Sequence, residues 1–600
     1  MPDDERSPRP VTAPLPGVCI RVHVAVGDTV AAGSVLVTLE SMKTEHAVTA
    51  PDDVEVVAVP VAVGDPVDTG DPVAQVVAAR GPVAPGPSAV DRGPRGTDRA
   101  DLAEVRARRA LLTDASRPEA VARRGDRGRR TARANVEALV DDGSFSEYGG
   151  LAIAAQRSRR NTDDLIRRTP ADGLLVGTAT IGADVVGPDR ARVAVLAYDA
   201  SVLAGTQGFQ NHRKTDRILD VVARHRLPVV LLAEGGGGRP GDVDAPGVSA
   251  LDVSSFARFA GLSGMVPTVA VVSGYCFAGN AALAGCCDLI IATEDSNLGM
   301  AGPAMIEGGG LGTVAPTAIG PIDVQWANGV VDVRVADEVA AVDAARDLTR
   351  LALGPEPAGA PAPGQDGLRD LVPVNRKQPY AVRDAIATLA DLGTVVELRG
   401  GFGAGLVTAL ARLDGRPVGF LANEPHHLGG AIDTDAAAKA TRFIGLCDRW
   451  GVPVVSLCDT PGFMVGPDAE ATGQVRVFGD MFIAAARARV PWVFVVLRKS
   501  YGLGAQAMAG GGLHEPVLGL SWPTGEFGGM GLEGAVRLGF SKELDAITDP
   551  AERAAREAEL VERAYAHGSA LNVATHFEID DVIDPADTRT RILQALTAAG

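Results

Sequence analysis

The strongest constraint on the fold of this 600-residue chain is an internal duplication of two long apolar stretches. RLPVVLLAEGGGG returns as GVPVVSLCDTPGF, and MVPTVAVVSGYCFAGNAAL returns as RVPWVFVVLRKSYGLGAQAM. The shared prolines, Pro228 with Pro453 and Pro267 with Pro491, are offset by 225 and 224 residues. Each copy has a buried strand, a glycine-rich loop and a second buried strand that ends in small residues. Helical patterns such as AAAKATRFIGLCDRW lie between them, so we predict an α/β fold, built twice, whose helices cross between roughly parallel strands.

A second, shorter repeat lies near the N-terminus. TAP at Thr12 returns at Thr49, and AVGDTVAAGSV at Ala25 returns as AVGDPVDTGDP at Ala62, both at an offset of 37 residues. The repeat predicts two copies of a strand–turn–strand unit with glycines at the turns. The predicted turn glycines are Gly27, Gly33, Gly64 and Gly70.

Lysine is rare in this chain, which uses arginine for most of its basic residues. It occurs only at positions 43, 214, 377, 439, 499 and 542, among 57 basic residues. Lys43 lies between the two copies of the short repeat, after SVLVTL and before HAVTA, so ESMKTE is predicted to be an exposed hairpin tip. Because arginine would serve equally well as a solvated charge, the lysine indicates a chemical modification of its amine.

Composition and charge exclude several classes of protein. The chain is 46% hydrophobic and 22% charged, and its length suggests about three or four domains. A formal net charge of −18 argues against nonspecific nucleic-acid binding, which needs a basic surface. No apolar run reaches ~18 residues and the residues before Val11 are polar and acidic, so neither a membrane span nor a signal peptide is expected. The six cysteines form no C-x-x-C pair, so no metal site is predicted, and free thiols in a reducing cytoplasm are expected.

Two stretches rich in proline, glycine and alanine divide the chain. The first, AARGPVAPGPSAVDRGPRGTDRA, has no apolar periodicity and is predicted to be a semi-flexible tether. The second, GPEPAGAPAPGQDG, separates the two copies of the long repeat. The predicted boundaries are 11–78 for the small β domain, 79–100 for the tether, 101–353 for the first α/β copy, 354–367 for the second linker and 368–600 for the second α/β copy.

The first domain resembles biotinyl (biotin carboxyl carrier) domains through APLPG, VGDTVAAG, LESMKTE and GDPVDTGD. The family tetrapeptide is usually A-M-K-M; here Met42 and Lys43 match, whereas Ser41 and Thr44 differ. The resemblance implies a small all-β barrel with biotin covalently attached to Lys43. Two alternatives are a lipoyl domain, which shares the fold and usually carries D-K-A at the lysine, and an unmodified domain with a solvated lysine.

The two small-residue loops, GYCFAGNAA and SYGLGAQAM, share one physical feature. Each follows a buried strand and is predicted to open a helix, where backbone N–H groups are unpaired and the helix dipole favours negative charge. Small residues also let a substrate oxygen approach, as in an oxyanion hole that stabilises an enolate. Close packing of helix on strand is the alternative explanation, but two such loops at equivalent places in a duplication favour a functional role.

From about Leu102 onward the chain resembles the carboxyltransferase (beta) subunits of acyl-CoA carboxylases. The resemblance rests on RLDGRPVGFLANEP, GGAIDTDAAAKATRFIGLCD, GVPVVSLCDTPGFMVG, VPWVFVVLRKSYG and SWPTGEFGGMGLEGAV, in the family's order. It implies a double crotonase-like fold, with oxyanion positions at Ala278 and Gly279 in the first copy and at Leu503 and Gly504 in the second. The family usually has Gly-Gly and Gly-Ala at these places; the donors are backbone N–H groups, so the chemistry can survive although Leu503 alters the pocket.

The resemblance also implies the reaction. The first hole receives the thioester oxygen of an acyl-CoA (acetyl-, propionyl- or longer) and the second the ureido oxygen of biotin, and a carboxyl group passes from biotin to the acyl α-carbon without a protein base. Gln506 is expected to shape the acyl pocket. The basic segment VARRGDRGRRTAR either meets CoA phosphates or is a solvated helix. The other residues expected to contact substrate are Lys214, Gly236, Gly237 and Gly302.

The same resemblance implies partners and alternatives. A biotin protein ligase would modify Lys43, and a separate biotin carboxylase subunit would act on the biotin with ATP and bicarbonate, because biotinyl domain, tether and transferase account for the sequence. A homodimer or a homohexamer in the cytoplasm is expected. The alternatives are a biotin-dependent decarboxylase subunit that runs the transfer backward and a non-catalytic scaffold that presents the carrier.

Overall fold

The computed structural model describes residues 7–81, 83, 99–246 and 251–599. Most of the tether predicted at 79–100 therefore lies outside the described residues. The chain divides into two compact units, Met1–Ala107 and Arg108–Gly600. No helix in the described ranges has the length and apolar character that a membrane crossing requires.

The first unit contains two four-stranded antiparallel sheets. One has the strand order β1-β8-β6-β3 and the other β5-β4-β2-β7. The strands are β1 (Arg9–Thr12), β2 (Gly17–Val22), β3 (Thr29–Val30), β4 (Val35–Ser41), β5 (Thr44–Thr49), β6 (Val54–Ala58), β7 (Pro66–Val67) and β8 (Pro72–Ala78). A single apolar cluster, which includes the fully buried Leu36, Leu39 and Val54, forms its core.

The short repeat is confirmed in these strands. β3 and β7 are offset by 37 residues, as are β4 and β8, and each sheet contains two strands from each copy. Gly27, Gly33, Gly64 and Gly70 have φ angles of 94°, 80°, 99° and 95°. Left-handed backbone of this kind favours glycine, which explains why the turns of both copies keep it.

The second unit contains two eight-stranded sheets of the same topology. The first has the order β16-β14-β13-β12-β11-β10-β9 with β15 beside β13, and the second has the order β17-β18-β19-β20-β21-β22-β24 with β23 beside β21. The strands of the first sheet are β9 (Ser146–Tyr148), β10 (Leu174–Thr180), β11 (Arg192–Tyr198), β12 (Val229–Gly236), β13 (Thr268–Phe277), β14 (Leu289–Thr293), β15 (Asn297–Gly299) and β16 (Val333–Val335). The strands of the second are β17 (Val396–Leu398), β18 (Leu406–Leu413), β19 (Arg416–Asn423), β20 (Val454–Thr460), β21 (Trp492–Tyr501), β22 (Leu518–Ser521), β23 (Glu526–Gly528) and β24 (Asp581–Val582).

The prediction of parallel strands describes only part of each sheet. β11 to β14 pair in parallel, as do β19 to β22. The strands before them, β9 to β11 and β17 to β19, are antiparallel. In the second copy the connections between β17, β18 and β19 are too short for the crossover helix that a parallel pair needs, and both copies begin with an antiparallel meander.

Helices cover both sheets. They are α1 (Ala100–Ala110), α2 (Pro118–Gly125), α3 (Ala132–Leu139), α4 (Thr162–Arg168), α5 (Ala183–Val186), α6 (Phe209–His225), α7 (Ser255–Ala260), α8 (Gly279–Gly285), α9 (Pro303–Gly308), α10 (Ile322–Ala327), α11 (Glu338–Ala352), α12 (Val382–Leu389), α13 (Thr434–Trp450), α14 (Pro467–Glu470), α15 (Gln474–Arg487), α16 (Gly502–Met508), α17 (Leu532–Gly539), α18 (Ser541–Ala546), α19 (Pro550–His567), α20 (Ala570–Thr575) and α21 (Thr588–Ala598). α6 and α13 have the same length, 17 residues, and occupy equivalent places in the two copies.

The two α/β copies share one hydrophobic core. Buried side chains of α3 and α11 from the first copy and of α13 and α15 from the second belong to the same cluster. Polar contacts also join the copies: the Arg449 guanidinium donates to Asp288 at 2.8 Å, and the Trp450 indole donates to the same carboxylate at 3.0 Å. The segment predicted as a second linker is packed as well, since Ala362 is buried and its N–H donates to Ala390.

Candidate functional site

The hairpin between β4 and β5 presents Lys43 to solvent. Ser41 pairs with Thr44, so Met42 and Lys43 form a two-residue turn. Their φ angles, 51° and 64°, are those of the turn type that fits the twist of antiparallel strands. Met42 is 97% exposed, and within the described residues no group bonds to the Lys43 amine. An exposed primary amine on a short, well-anchored hairpin fits the covalent attachment of a carboxylic acid such as biotin.

A first cavity, of about 720 Å³, opens at the carboxyl ends of β12 and β13. Four of the residues predicted to contact substrate line it: Gly236, Gly237, Ala278 and Gly302. The carboxyl ends of parallel strands beside a helix start are where α/β folds bind ligands. The structure thus brings together residues that are far apart in the sequence.

Gly236 permits a close approach of β12 to β13 in the wall of this cavity. Its φ is 153°, and a Cβ at this position would lie 1.9 Å from the Phe277 carbonyl oxygen. Gly237 differs, because its φ of 80° favours glycine although nothing lies within 4 Å of its Cβ position. Glycine at 236 is therefore required by space, and glycine at 237 by conformation.

The chain turns sharply from β13 into α8 at Ala278, whose φ of 50° and ψ of −120° are disfavoured for a residue with a Cβ. The Ala278 N–H donates to the Gly299 carbonyl at 3.1 Å. The Gly279 N–H, at the first position of α8, has no acceptor within the described part of the chain. A side chain at 279 would reach Gln207 Oε1, 2.1 Å from the Cβ position. Of the two predicted donors, Ala278 is engaged and Gly279 is free.

An ionic cluster lies behind the first cavity. Arg124 Nη1 donates to Glu234 Oε1 at 2.6 Å, and Nη2 donates to Glu338 Oε1 at 3.1 Å. Burial raises the pKa of Glu234, and the Arg124 guanidinium opposes that rise. Arg124 is on α2 and Glu234 lies near the end of β12, so the cluster fixes α2 to the sheet at the cavity wall.

A second cavity, of about 800 Å³, lies beside α16 in the second α/β copy. Leu503 and Gln506, both with exposed side chains, line one wall. His567, Asn572 and His576, from the end of α19 through α20, line another. The lining of this cavity is therefore more polar than that of the first cavity, which is mainly apolar.

The first turn of α16 supplies the second pair of predicted donors. Neither Leu503 nor Gly504 has an acceptor for its N–H among the described residues, as expected for the start of a helix. A Cβ on Gly504 would lie 2.7 Å from the Gly462 Cα, so glycine is needed where α16 meets the loop after β20. The Leu503 side chain is 63% exposed and leaves the backbone donor unobstructed.

The starts of α8 and α16 occupy equivalent places in the two copies. Their alignment differs by one residue from the one implied by the predicted donor pairs. β13 and β21 each have ten residues. Counted from their ends, Gly279 corresponds to Leu503, and Gly504 corresponds to Asn280. The Asn280 side chain is buried and donates to the carbonyls of Gly205 and Glu234 at 3.1 and 2.9 Å, whereas the second copy has no side chain there. The two duplicated loops therefore share a backbone path but differ in the side chains they contribute.

Two family descriptions match the chain. The family described as "Carboxyl transferase domain" matches residues 123–599, and the one described as "Biotin-requiring enzyme" matches residues 9–76. The chain belongs to the carboxyl transferase family. It is a carboxyltransferase whose first unit is the domain of a biotin-requiring enzyme, which indicates covalently attached biotin.

Curated relatives extend over most of this carboxyltransferase. It is 33% identical over 491 residues to the methylmalonyl-CoA carboxyltransferase 12S subunit of Propionibacterium freudenreichii subsp. shermanii, covering 79% of this chain and 90% of that protein. It is 31% identical to the biotin-dependent long chain acyl-coenzyme A carboxylase beta4 subunit of Mycobacterium tuberculosis, covering 82% of this chain and 93% of that protein.

Two solved structures resemble most of this carboxyltransferase. A single-chain, multi-domain long-chain acyl-CoA carboxylase is 53% identical with a TM-score of 0.79; the alignment covers 98% of this chain and 56% of that chain. The transcarboxylase 12S structure, described as a hexamer assembly, is 30% identical with a TM-score of 0.73 and covers 85% of this chain and 96% of that chain. The predicted family and fold class, a double crotonase-like carboxyltransferase after a biotinyl domain, are confirmed.

Lys214 is not placed to contact a substrate. It is buried on α6, and its ammonium donates to the carbonyls of Ala171, at 2.8 Å, and of Leu174. Lys439, at the equivalent position of α13, donates to Leu406 at 2.8 Å. Leu174 and Leu406 begin the corresponding strands β10 and β18. The repeat therefore preserved a helix-to-strand contact, and the assignment of Lys214 to the substrate is corrected to a structural role.

Sequence reasoning did not identify the acidic residues near the ends of the central strands β12 and β20. Glu234 precedes the four glycines of the first copy of the repeat, and Asp459 lies 225 residues later at the equivalent place. Asp459 is buried between Arg498 and Lys499, at 2.9 and 3.0 Å. The sequence feature that could have identified them is the presence of an acidic residue at the same place in both copies of the repeat. In the described ranges, no group of three or more His, Cys, Asp and Glu is arranged to hold a metal ion.

Proposed function

We propose that this carboxyltransferase carries biotin on Lys43 and adds a carboxyl group to the α-carbon of an acyl-CoA, as a component of a biotin-dependent acyl-CoA carboxylase. The observation that carries the proposal is the pair of helix starts with free N–H groups, each beside a large cavity, in a chain that also has a biotinyl domain. Bound biotin supplies the carboxyl group and accepts a proton in exchange.

The exposed hairpin of the first unit supports Lys43 as the attachment point. The amine is free of hydrogen bonds in the described structure, and the strands on either side are anchored by the core of the unit. A ligase can reach such a lysine. Because the turn is short and its strands are anchored, it restricts the positions that the modified side chain can occupy. The adjacent Met42, almost fully exposed, extends the surface that a ligase would recognise.

The free Gly279 N–H supports stabilisation of an enolate in the first cavity. When a thioester loses its α-proton, negative charge develops on the carbonyl oxygen. A fixed backbone donor at a helix start stabilises that charge without reorganisation. Glu234, held by Arg124, is not free to act as a base. The chain therefore contributes binding and charge stabilisation.

The second cavity is assigned to the ureido end of biotin. The N–H groups of Leu503 and Gly504 can donate to an oxygen there, and the exposed Gln506 lies one turn further along α16. Gln506 is proposed to shape the acyl pocket that this site completes. Names of relatives that act on propionyl-CoA and on long-chain acyl-CoA support the acyl-CoA class.

Partners follow from this assignment. We propose a biotin protein ligase that modifies Lys43, a biotin carboxylase on a separate subunit that uses ATP and bicarbonate, and assembly of this chain into a homodimer or homohexamer. The hexamer described for the transcarboxylase 12S relative supports the assembly. Free cysteines at all six positions fit a cytoplasmic location.

The test is the half-reaction without ATP. The purified chain is incubated with malonyl-CoA or methylmalonyl-CoA and free biotin, and loss of the carboxyl group is measured with and without biotin. Biotin-dependent loss of the carboxyl group is expected. Gly279→Val should abolish this reaction. Cys286→Ser is the control, because Cys286 is exposed at the end of α8, and it should leave the reaction unchanged. Absence of any biotin-dependent reaction would overturn the proposal and leave a scaffold. With a biotin carboxylase, ATP and bicarbonate added, net carboxylation of acetyl-, propionyl- or long-chain acyl-CoA separates a carboxylase from a decarboxylase.

A further inference from the structure

Gln207 is a buried polar side chain beside the start of α8 that the proposed function leaves unused. The residue is 5% exposed, and its amide oxygen Oε1 faces Gly279, where an added Cβ would collide with it. Its amide nitrogen donates to the Tyr198 phenol at 3.1 Å. Among the described residues no group donates to Oε1. The end of the amide that faces Gly279 therefore has no partner, although polar atoms of buried side chains normally have one.

The backbone places this amide at the wall of the first cavity. Thr206, which precedes Gln207, lines the cavity, and so does Gly237. The Gln207 N–H donates to the Gly237 carbonyl at 2.8 Å, so the residue is tied to the loop after β12. Its side chain extends to Gly279, whose N–H is the free donor of the first hole. The amide thus lies next to the place where a thioester oxygen would bind.

The second α/β copy shows that the fold does not require an amide at this position. Gln207 forms an isolated parallel bridge with Gly238, and Ile432 forms the same bridge with Phe463, each partner 225 residues later. Ile432 is fully buried and belongs to the hydrophobic core. An apolar side chain therefore satisfies the packing here, and the polar side chain of the first copy needs another explanation.

The other end of the Gln207 amide meets a phenol that keeps its proton. Tyr198 is buried, and burial raises the pKa of its phenol to about 12. A glutamine amide has nearly the same shape when its oxygen and nitrogen exchange places. With the nitrogen toward Gly279, the oxygen can accept the Tyr198 proton, and both ends of the amide are used. A negative charge at the first hole favours this orientation, because it attracts the N–H groups and repels the oxygen.

We propose that Gln207 is a side-chain donor of the first hole: its amide nitrogen binds the thioester oxygen together with the Gly279 N–H and stabilises the enolate. The inference rests on the proposed function for the reaction. A donor that is already fixed where charge develops contributes more in a site shielded from water than it would in solution. Tyr198 is a positioning residue, because it holds the amide oxygen and thereby fixes the direction of the nitrogen.

The first test is the half-reaction with malonyl-CoA and free biotin. Gln207→Met keeps the length of the side chain and removes its donor, so kcat should fall by about a hundredfold with little change in KM. Gln207→Glu keeps the shape and an acceptor for Tyr198 but puts a carboxylate beside the enolate. Its loss should exceed that of Gln207→Met and grow with pH, whereas a role in packing alone predicts the smaller loss for Gln207→Glu at every pH. Gln378→Met, at an exposed glutamine of the same unit, is the matched control and should leave kcat unchanged.

Tyr198 is tested by a double-mutant cycle in the same assay. Tyr198→Phe removes the proton that holds the amide oxygen, so kcat should fall about threefold, and the same substitution should have no effect in the Gln207→Met background. An equal effect in both backgrounds would assign Tyr198 to packing.

Binding of 2-nitropropionyl-CoA separates this inference from the proposed function. Its conjugate base carries part of the negative charge on the thioester oxygen, as the enolate does, whereas propionyl-CoA is uncharged there. Calorimetry with the full chain should show that Gln207→Met weakens binding of the nitro ester by at least about tenfold and leaves binding of propionyl-CoA unchanged. Unchanged affinity for the nitro ester, or an equal loss with both esters, would overturn the assignment. A selective loss, in a protein that shows no carboxyl transfer, would sustain this inference and reject the proposed function.

Discussion

Lys43 and Gly236 show how single residues are constrained in two different ways. Lys43 lies at a turn whose backbone is set by its neighbours, so its side chain can be chosen for chemistry alone. Gly236 lies where two strands approach so closely that a Cβ would meet the Phe277 carbonyl. Both were singled out from the sequence, the lysine by its rarity and the glycine among the residues that the family resemblance implies contact substrate.

Replacing Lys43 should remove biotin without disturbing the fold. Lys43→Arg keeps the charge on an exposed turn but offers no amine that can form the amide, so covalent biotin should be lost completely. Intact mass and a streptavidin blot measure this. Lys377→Arg, at another exposed lysine, should keep full biotinylation. Biotin retained in Lys43→Arg would show that the attachment point lies elsewhere.

Adding one methyl group at Gly236 should damage the first cavity. Gly236→Ala places a Cβ against the Phe277 carbonyl, so the ends of β12 and β13 must separate, and we expect kcat/KM to fall by at least about tenfold. Gly238→Ala is the matched control, because nothing lies within 4 Å of its Cβ position and its φ needs no glycine. Equal activity of the two variants would contradict this prediction, because it would mean that the ends of β12 and β13 can separate without affecting the cavity.

At the scale of elements, the helix starts and the helix-to-strand contacts are what the duplication preserved. α8 and α16 each have seven residues and follow strands of equal length. The two helices differ at their second equivalent position, because α8 has the buried side chain of Asn280 where α16 has Gly504, which has no side chain. Sequence patterns predicted the strand, the small residues and the helix, because these depend on neighbours in the chain. They could not predict that the Ala278 N–H is taken by Gly299, a residue of a different strand.

Packing of α16 should depend on Gly504 more than on Leu503. Gly504→Ala would bring a Cβ to 2.7 Å from the Gly462 Cα and push α16 away from the loop after β20, so carboxyl transfer should fall by about tenfold or more. Leu503→Ala keeps the backbone donor, and its rate should stay within about threefold of the unchanged protein. The half-reaction with free biotin measures both. A larger loss in Leu503→Ala would assign the side chain, and not the backbone, to the site.

The buried lysines of α6 and α13 should make stability depend on alkaline pH. Burial lowers the pKa of Lys214 and of Lys439 from 10.5 to about 8. Below pH 8 both lysines are charged in folded and unfolded chains, so the full cost of burying the charge is present. Between pH 8 and 10.5 the unfolded chain binds more protons than the folded one, and stability rises with pH, by a total that approaches about 3 kcal/mol per lysine.

This dependence is measured as the unfolding temperature between pH 7 and pH 10.5. Relative to the variant Lys214→Met plus Lys439→Met, the unchanged protein should gain stability across that range. Lys542→Met, at an exposed lysine, should follow the unchanged protein at every pH. A constant difference between the unchanged protein and the double variant would show that the two ammonium groups do not lose their protons early.

At the scale of the whole molecule, the two α/β copies behave as one unit because polar and apolar contacts join them. Arg399 of the second copy lies 2.5 Å from Asp332 of the first, and both side chains are buried. Burial lowers the pKa of Arg399 to about 10, and it raises the pKa of Asp332. Each charge is therefore tolerated there because the other faces it.

Removing one member of this pair should destabilise the interface between the copies. Asp332→Ala leaves the Arg399 guanidinium buried without a counter-charge, and we expect a loss of about 3–5 kcal/mol. Calorimetry should show a lower unfolding temperature for the carboxyltransferase unit. Asp323→Ala, at an exposed carboxylate, should change it little. Asp332→Leu combined with Arg399→Met should recover part of the loss; no recovery would assign the effect to packing instead of charge.

The sequence by itself determined the duplications, the hairpin of Lys43, the turn glycines and the small-residue loops, because strand periodicity and backbone conformation are set by residues close together in the chain. Only the tertiary structure decided which polar groups are already satisfied. It buried Lys214 against β10, engaged the Ala278 N–H, and formed the second cavity from α16 together with residues about 65 positions later. The segments that bury a polar group or form hydrogen bonds with it are distant in the sequence. Local sequence patterns do not identify those segments.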